Sequence, residues 1–262
     1  MREAARLMLT AGIYGLIGGT ALFFGALIGL YLNVSKQTVG AVMAFASGVL
    51  ISALTFDLME NAYQTGGFDS VSLGFIAGAV LFVGGDYLID RYGGHFRKHG
   101  HGKKHINKKN TAKNSMLASS GSAIFLGALL DGVPESAAIG VGLAAGHGVG
   151  LSMLIAVFLS NFPEGISGAM GMKASGHSPG YIMTVWGTTI ATSGCAAALG
   201  YSLHEHASQD AIATTLALAA GAVLAMIADT MIPEAFEEGG RLVALVTVAG
   251  FLLAFVISHL SG

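Results

Sequence analysis

The sequence has very little charge for its length. Only 11% of its 262 residues are Asp, Glu, Lys or Arg, whereas soluble domains average about 25%. Hydrophobic residues make up 53% of the chain, and several apolar runs exceed the roughly 20 residues that cross a bilayer as a helix. The composition excludes an ordinary soluble protein and predicts an all-α polytopic membrane protein.

The sequence also has a single cysteine and lacks the usual hydrolase motifs. The single Cys195 excludes an intramolecular disulfide and a CxxC metal site. The sequence has no HExxH pattern, and no serine has an obvious histidine partner within an apolar run. Asp57 and Asp131 resemble the aspartates of an intramembrane protease only loosely. We therefore expect a protein that is not an enzyme, and we expect no nucleic-acid partner.

Run length and hydrophobicity predict eight transmembrane helices in a single domain that covers residues 1–262. Their expected bounds are 7–32, 39–61, 71–90, 116–145, 151–173, 181–204, 211–231 and 241–259. All the connections but one are short. Consecutive helices are therefore expected to be antiparallel neighbours.

The exception is a basic, histidine-containing loop at about 91–115. It carries eight of the thirteen Lys and Arg residues, so the positive-inside rule places it in the cytoplasm. Three spans precede it and five follow, which puts both termini outside. Histidine is a common metal ligand, so His95, His99, His101 and His105 could bind an ion. The lysines around them repel cations, and a disordered loop that only sets the topology is an equal alternative.

Two spans carry related patterns that end in Pro-Glu. The fourth span contains Asp-Gly-Val-Pro-Glu at 131–135, and the fifth contains Ser-Asn-Phe-Pro-Glu at 160–164. In each copy the first and last residues are four apart, so their side chains share one face of a helix. A charge near the bilayer midplane costs roughly 2.5–3.5 kcal/mol on insertion scales. Such carboxylates are therefore candidates for a functional site.

The prolines of these patterns predict further oxygen ligands. Because proline has no N–H, Pro134 and Pro163 should free the carbonyls of Leu130 and Leu159. A bent helix with free carbonyls beside a carboxylate can bind a cation, and irregular backbone at this depth is tolerated where it lines a cavity. The alternative is that the prolines only bend the helices for packing. This explanation fits a single Pro-Glu pattern better than two copies on adjacent helices.

Other acids lie towards the ends of spans. Asp57, near the outer end of the second span, is a candidate entrance for the ion. Asp86 and Asp90 in the third span and Asp229 in the seventh are candidates for its exit. Solvation at the membrane interface explains Asp57, Asp86 and Asp229 equally well.

These motifs together resemble the ZIP family of divalent-metal transporters, nearer its prokaryotic, GufA-like branch. Residues 45–59 are similar to the family's second helix, and the Asp-Thr-Met-Ile-Pro-Glu-Ala segment at 229–235 is similar to its seventh. The resemblance implies a ZIP-like bundle of eight helices that forms one transmembrane transport domain. It implies transport of divalent ions of the zinc, manganese and iron class towards the cytoplasm, no cofactor, and a homodimer, here expected in the plasma membrane.

The resemblance also assigns metal ligands. The family's paired glutamates fall on Glu135 and Glu164, and its asparagine ligand falls on Asn161. Asp131 and Ser160 occupy positions where the family usually has histidine or a related ligand. The ligand set therefore contains more oxygen atoms and fewer imidazole nitrogens. Since oxygen ligands suit manganese and imidazole suits zinc, we expect a shift from zinc towards manganese or iron(II), or weakened selectivity. The missing histidines also motivate an alternative, a transport-deficient metal sensor or regulator of the same fold.

Overall fold

The computed structural model describes residues 2–91, 111–145, 149–205 and 207–261, and this part of the chain is helical apart from short connections. The α-helices are α1 Arg2–Tyr31, α2 Lys36–Ala53, α3 Glu60–Arg91, α4 Thr111–Ala145, α5 Val149–Ala174, α6 Pro179–Glu205, α7 Gln209–Met226, α8 Ile232–Gly239 and α9 Val243–Ser261. A first π-helical segment, Leu54–Met59, joins α2 to α3, and a second, Ile227–Met231, joins α7 to α8. The turn Gly240–Leu242 leads into α9.

Six segments of the described chain are long and apolar enough to cross a membrane. They are Glu3–Tyr31, Lys36–Ile89, Phe125–Ala145, Leu151–Ala174, Pro179–Leu203 and Gln209–His259. Two of them are 54 and 51 residues long, about twice the length that one crossing needs. A polytopic helical membrane protein is thus confirmed, whereas the count of eight crossings stays a prediction.

Each of the two long segments contains a glycine with a left-handed backbone. Gly67 has φ 71° and Gly240 has φ 70°, a region that glycine enters without the steric penalty that a Cβ brings. Gly67 interrupts α3 with non-helical geometry, and Gly240 ends α8. The chain can therefore change direction at both points.

Glycines also let neighbouring helices meet backbone to backbone. A Cβ added at Gly48 of α2 would overlap the Thr247 carbonyl oxygen of α9, and one at Gly78 of α3 would overlap that of Leu218 in α7. Small residues allow such close approach in membranes. The contacts rise together in sequence, with Gly48 against Thr247 before Asp57 against Ser258. Hence α2 and α9 are parallel.

The structure contains an internal repeat with an offset of 173 residues. Helix α7 begins and ends 173 residues after α2, and the second π-helical segment begins 173 residues after the first. Ser35 accepts a hydrogen bond from the Thr38 N–H at the start of α2, and Ser208 does the same for Ala211 at the start of α7. Gly67 and Gly240 are related by the same offset.

The helices that carry the Pro-Glu patterns, α4 and α5, pack together among α1, α2 and α6. Helix α1 runs parallel to α5, with Gly25 against Phe162 and Gly29 against Ile166. Helix α4 begins at Thr111, so the last residues of the predicted 91–115 loop are helical. The loop residues 92–110, with His95, His99, His101 and His105, lie outside the described residues.

Candidate functional site

The Pro-Glu patterns lie in the interiors of two long helices. Pro134 is inside α4 and Pro163 inside α5, and both helices continue past their proline. As proline has no N–H, the carbonyls of Leu130 and Leu159 receive no hydrogen bond from the position four residues later. Each helix therefore offers a backbone oxygen next to its acidic pattern, as the sequence predicts.

Ser160 brings α5 into contact with the carboxylates of α4. Its hydroxyl oxygen lies 3.2 Å from Glu135 Oε1 and 3.0 Å from the Val157 carbonyl oxygen. The hydroxyl has one proton to donate, so these two acceptors share it. Asp131, one turn before Glu135, is also buried and interacts with it electrostatically. Ser160 thus contacts one of two neighbouring acidic side chains in the protein interior.

Glu135 carries the least satisfied oxygen of this group. Its side chain is 0% exposed, and its Oε2 atom has no hydrogen-bond partner among the residues that the structure describes. Buried polar atoms are nearly always hydrogen-bonded, because an unsatisfied one costs about 1–3 kcal/mol and more when it is charged. A bound cation would remove this cost.

Asn161 has the same property on the other side of α5. Its Nδ2 donates a hydrogen bond of 3.1 Å to the Gly18 carbonyl oxygen of α1, which fixes the orientation of the amide. Its Oδ1 is buried and has no partner in the described part of the chain. The amide oxygen therefore has no hydrogen bond that would compete with a cation, and its role as a ligand stays a prediction.

The arrangement contains fewer charged ligands than a typical closed metal site. Within residues 2–91, 111–145, 149–205 and 207–261, no three His, Cys, Asp or Glu side chains form a group that could hold a metal ion. Glu164 is partly buried on the next turn of α5, and it does not complete such a group with Asp131 and Glu135. A cation here would need hydroxyl, amide and backbone oxygens as well.

Asp57 belongs to a second polar region, in the first π-helical segment. It is 8% exposed and accepts hydrogen bonds from Ser152 of α5 and, at 3.3 Å, from Ser258 of α9. It lines a cavity between α2, α5 and α9. The cavity offers about 40 Å³ to the centres of water molecules, and since about 10–15 Å³ suffices for one water, it has room for a few.

This cavity approaches the Pro-Glu site. Its wall includes Leu159, the residue before Ser160. It also includes Ser52, whose buried hydroxyl has no hydrogen-bond partner among the described residues. Asp57 is therefore buried and hydrogen-bonded beside this cavity, and its role as an entrance stays a prediction.

The acids expected near the exit differ in their surroundings. Asp86 of α3 is buried, whereas Asp229 lies exposed in the second π-helical segment. The side chain of Asp90 is outside the described residues. Asp229 therefore does not share the burial of the other predicted metal ligands, and its role in the path stays a prediction.

Comparison with known proteins gives one distant relative. No family model matches the chain. The chain is similar to a protein of Arabidopsis thaliana whose description is "Putative zinc transporter", with 24% identity over 237 residues. The match covers 87% of this chain and 35% of the relative. The chain thus spans about a third of the length of the curated relative it matches.

The sequence contains a third Pro-Glu at 233–234, among the acids towards the inner end of the seventh span, but it did not predict the contact that this glutamate makes. Ser167 of α5 donates a hydrogen bond of 2.7 Å to Glu234 Oε1 of α8. Two signals in the sequence could have pointed to it. Ser152, Ser160 and Ser167 recur at seven to eight residues in α5, and Glu234 corresponds to Asn61 under the 173-residue repeat.

Proposed function

We propose that the protein transports divalent metal ions of the zinc, manganese and iron class across a membrane, towards the cytoplasm. The ion binds at Asp131, Glu135, Ser160 and Asn161, with Glu164 on the next turn. The observation that carries the proposal is the buried Oε2 of Glu135, which lacks a hydrogen bond inside a segment apolar enough to span a membrane. The likeness to a protein described as a zinc transporter supports the same class.

The physical argument rests on the two carboxylates of α4. Asp131 and Glu135 repel each other, and burial penalises both charged forms. Replacing either by an apolar residue would relieve this cost, so a purely structural role does not explain the pair. A divalent cation neutralises both, and intramembrane acids mark ion pathways in general.

The proposal includes a topology of eight crossings. Each of the 54- and 51-residue segments would cross twice and reverse near Gly67 and Gly240. Even-numbered crossings then run in one direction and odd-numbered ones in the other. The parallel packing of α2 with α9, and of α1 with α5, supports this order. The basic loop would be cytoplasmic and both termini outside, in the plasma membrane, in a homodimer of the GufA-like branch of the ZIP family.

The metal preference follows from the ligand types. The buried site offers oxygen atoms from carboxylates, a hydroxyl and an amide, and among the described residues it includes no imidazole. Oxygen ligands favour manganese over zinc, while carboxylates still bind zinc. We propose uptake of manganese and iron(II) in preference to zinc.

The test is metal uptake into proteoliposomes by the wild type and the Glu135→Gln variant. Glutamine keeps the size of the side chain and removes the charge, so the initial rate should fall about tenfold or more, because losing one charged ligand exceeds about 1.4 kcal/mol. Glu237→Gln, on the exposed side of α8, is the matched control. Equal rates in all three proteins would refute the site. Metal binding by the wild type without uptake would show a sensor or regulator instead.

A further inference from the structure

Three serines of α5 each hydrogen-bond to a carboxylate, and each carboxylate belongs to a different element. The partners come from the first π-helical segment, from α4 and from α8. The pairs are Ser152 with Asp57, Ser160 with Glu135 at 3.2 Å, and Ser167 with Glu234 at 2.7 Å. We name them the outer, middle and inner pair, after their order along α5 in the proposed topology.

The three serines form one stripe along the helix. At about 100° and 1.5 Å per residue, Ser152, Ser160 and Ser167 lie within an arc of roughly 80° and are about 12 and 10 Å apart along the axis. Together they cover about 22 Å of a hydrocarbon core that is roughly 30 Å thick. A single face of α5 therefore carries polar contacts through most of the membrane.

Two independent features show that buried polar atoms beside this stripe lack hydrogen-bond partners. At the outer pair, Ser52 is 1% exposed and its hydroxyl faces the Asp57 cavity without a partner in the described chain. At the middle pair, the same holds for Oε2 of the fully buried Glu135. The cavity is lined by both members of the outer pair and by Leu159, the residue before Ser160.

We propose that the three pairs are successive binding positions for the transported cation, and that Glu234 with Ser167 is the last of them before release. This inference rests on the proposed transport function. It replaces Asp229 with Glu234 as the carboxylate of the exit, because Glu234 is in contact with α5.

Serine suits such a sequence of positions. Its hydroxyl donates to the carboxylate when no ion is present, and its lone pairs can bind the ion when one arrives. No pair belongs to a group of three His, Cys, Asp or Glu side chains among the described residues. Weak sites in series allow an ion to enter and also to leave, which a single tight site would prevent.

The first experiment compares uptake kinetics of manganese in proteoliposomes for Glu234→Gln, Ser167→Ala and the control Glu237→Gln. If the inner pair handles release, Glu234→Gln should lower the maximal rate by about fivefold or more and change the half-saturating concentration less than about twofold. Ser167→Ala, a smaller change, should shift the rate in the same direction. A Glu234→Gln rate equal to that of Glu237→Gln would refute the inner position.

The second experiment separates ion binding from a structural contact. Cys195 is the only cysteine, so Cys195→Ala provides a background for Ser167→Cys, which keeps the Glu234 carboxylate, and for the control Phe236→Cys, an exposed position on α8. A cationic thiol reagent should modify Ser167→Cys more slowly when manganese is present, and Phe236→Cys at an unchanged rate. Modification of Ser167→Cys that is insensitive to manganese would overturn the inference.

The two proposals can fail separately. If Glu135→Gln stops uptake while Glu234→Gln and manganese protection show no effect, only the inner position is refuted. If Glu135→Gln leaves uptake intact, the middle position and the proposed binding site are refuted, and if the wild type itself takes up no metal, the proposed function fails.

Discussion

The contact between α2 and α9 gives a quantitative prediction for the glycine at its centre. A Cβ at Gly48 would overlap the backbone of α9 at the Thr247 carbonyl and come close to the Phe251 nitrogen. Backbone atoms cannot swing aside as a flexible side chain can. The Gly48→Ala variant must therefore push the two helices apart, and overpacking of this kind costs about 1–3 kcal/mol.

The internal repeat supplies a second site for the same change. Gly221 corresponds to Gly48, and a Cβ there would overlap the Phe75 carbonyl of α3. Gly221→Ala should cost about as much as Gly48→Ala. Gly84 and Gly171 are interior helical glycines with nothing within 4 Å of an added Cβ, so their change to alanine should be neutral or stabilising by up to about 1 kcal/mol.

The assay is thermal unfolding of the purified protein in detergent. For a chain of this length, each kcal/mol shifts the melting temperature by about 2–4 °C, so the two groups of variants should separate clearly. Because Val49 and Leu253 line the Asp57 cavity beside this contact, Gly48→Ala should also reduce uptake. Equal melting temperatures for Gly48→Ala and Gly171→Ala would refute the close packing of α2 and α9.

Two further predictions concern the ligand set and the helix starts. Asp131→His adds an imidazole beside Glu135 and should move the preference of uptake from manganese towards zinc. Competition between metals in the uptake assay measures this preference. An unchanged order of preference would contradict the argument from oxygen ligands. Ser35→Ala and Ser208→Ala each remove the cap at the start of a repeated helix and should lower stability by about 1 kcal/mol each. Thermal unfolding measures the stability of both variants. The control is Ser202→Ala, because the Ser202 hydroxyl donates to the Leu199 carbonyl within α6.

The helices and the middle of the site followed from local patterns. Long apolar runs predicted the membrane segments because their composition alone decides whether they can cross a bilayer. The spacing of four between Asp131 and Glu135 predicted a shared helix face. The two Pro-Glu copies on neighbouring spans predicted one metal site that includes Glu135 and Ser160. The structure places these two side chains 3.2 Å apart, and the metal site itself stays a prediction.

Features that depend on packing between distant helices could not be predicted in this way. The π-helical segments at Leu54–Met59 and Ile227–Met231 change which side of the helix Asp57 and Asp229 occupy, and one is buried while the other is exposed. Ser258 and Glu234 reach their partners across 201 and 67 residues of sequence. No pattern within a single span predicts either contact.

The repeat has one consequence for the two ends of the proposed route. Its copies share a backbone plan, but Asp57 corresponds to Thr230, and Glu234 corresponds to Asn61. The two ends of the route therefore have similar backbones but carry their carboxylates at different positions. An ion that enters from either side would meet its first carboxylate at a different depth in the membrane. Influx and efflux through such a route should reach half of their maximal rates at unequal metal concentrations, although net flow still stops when the metal gradient across the membrane is zero.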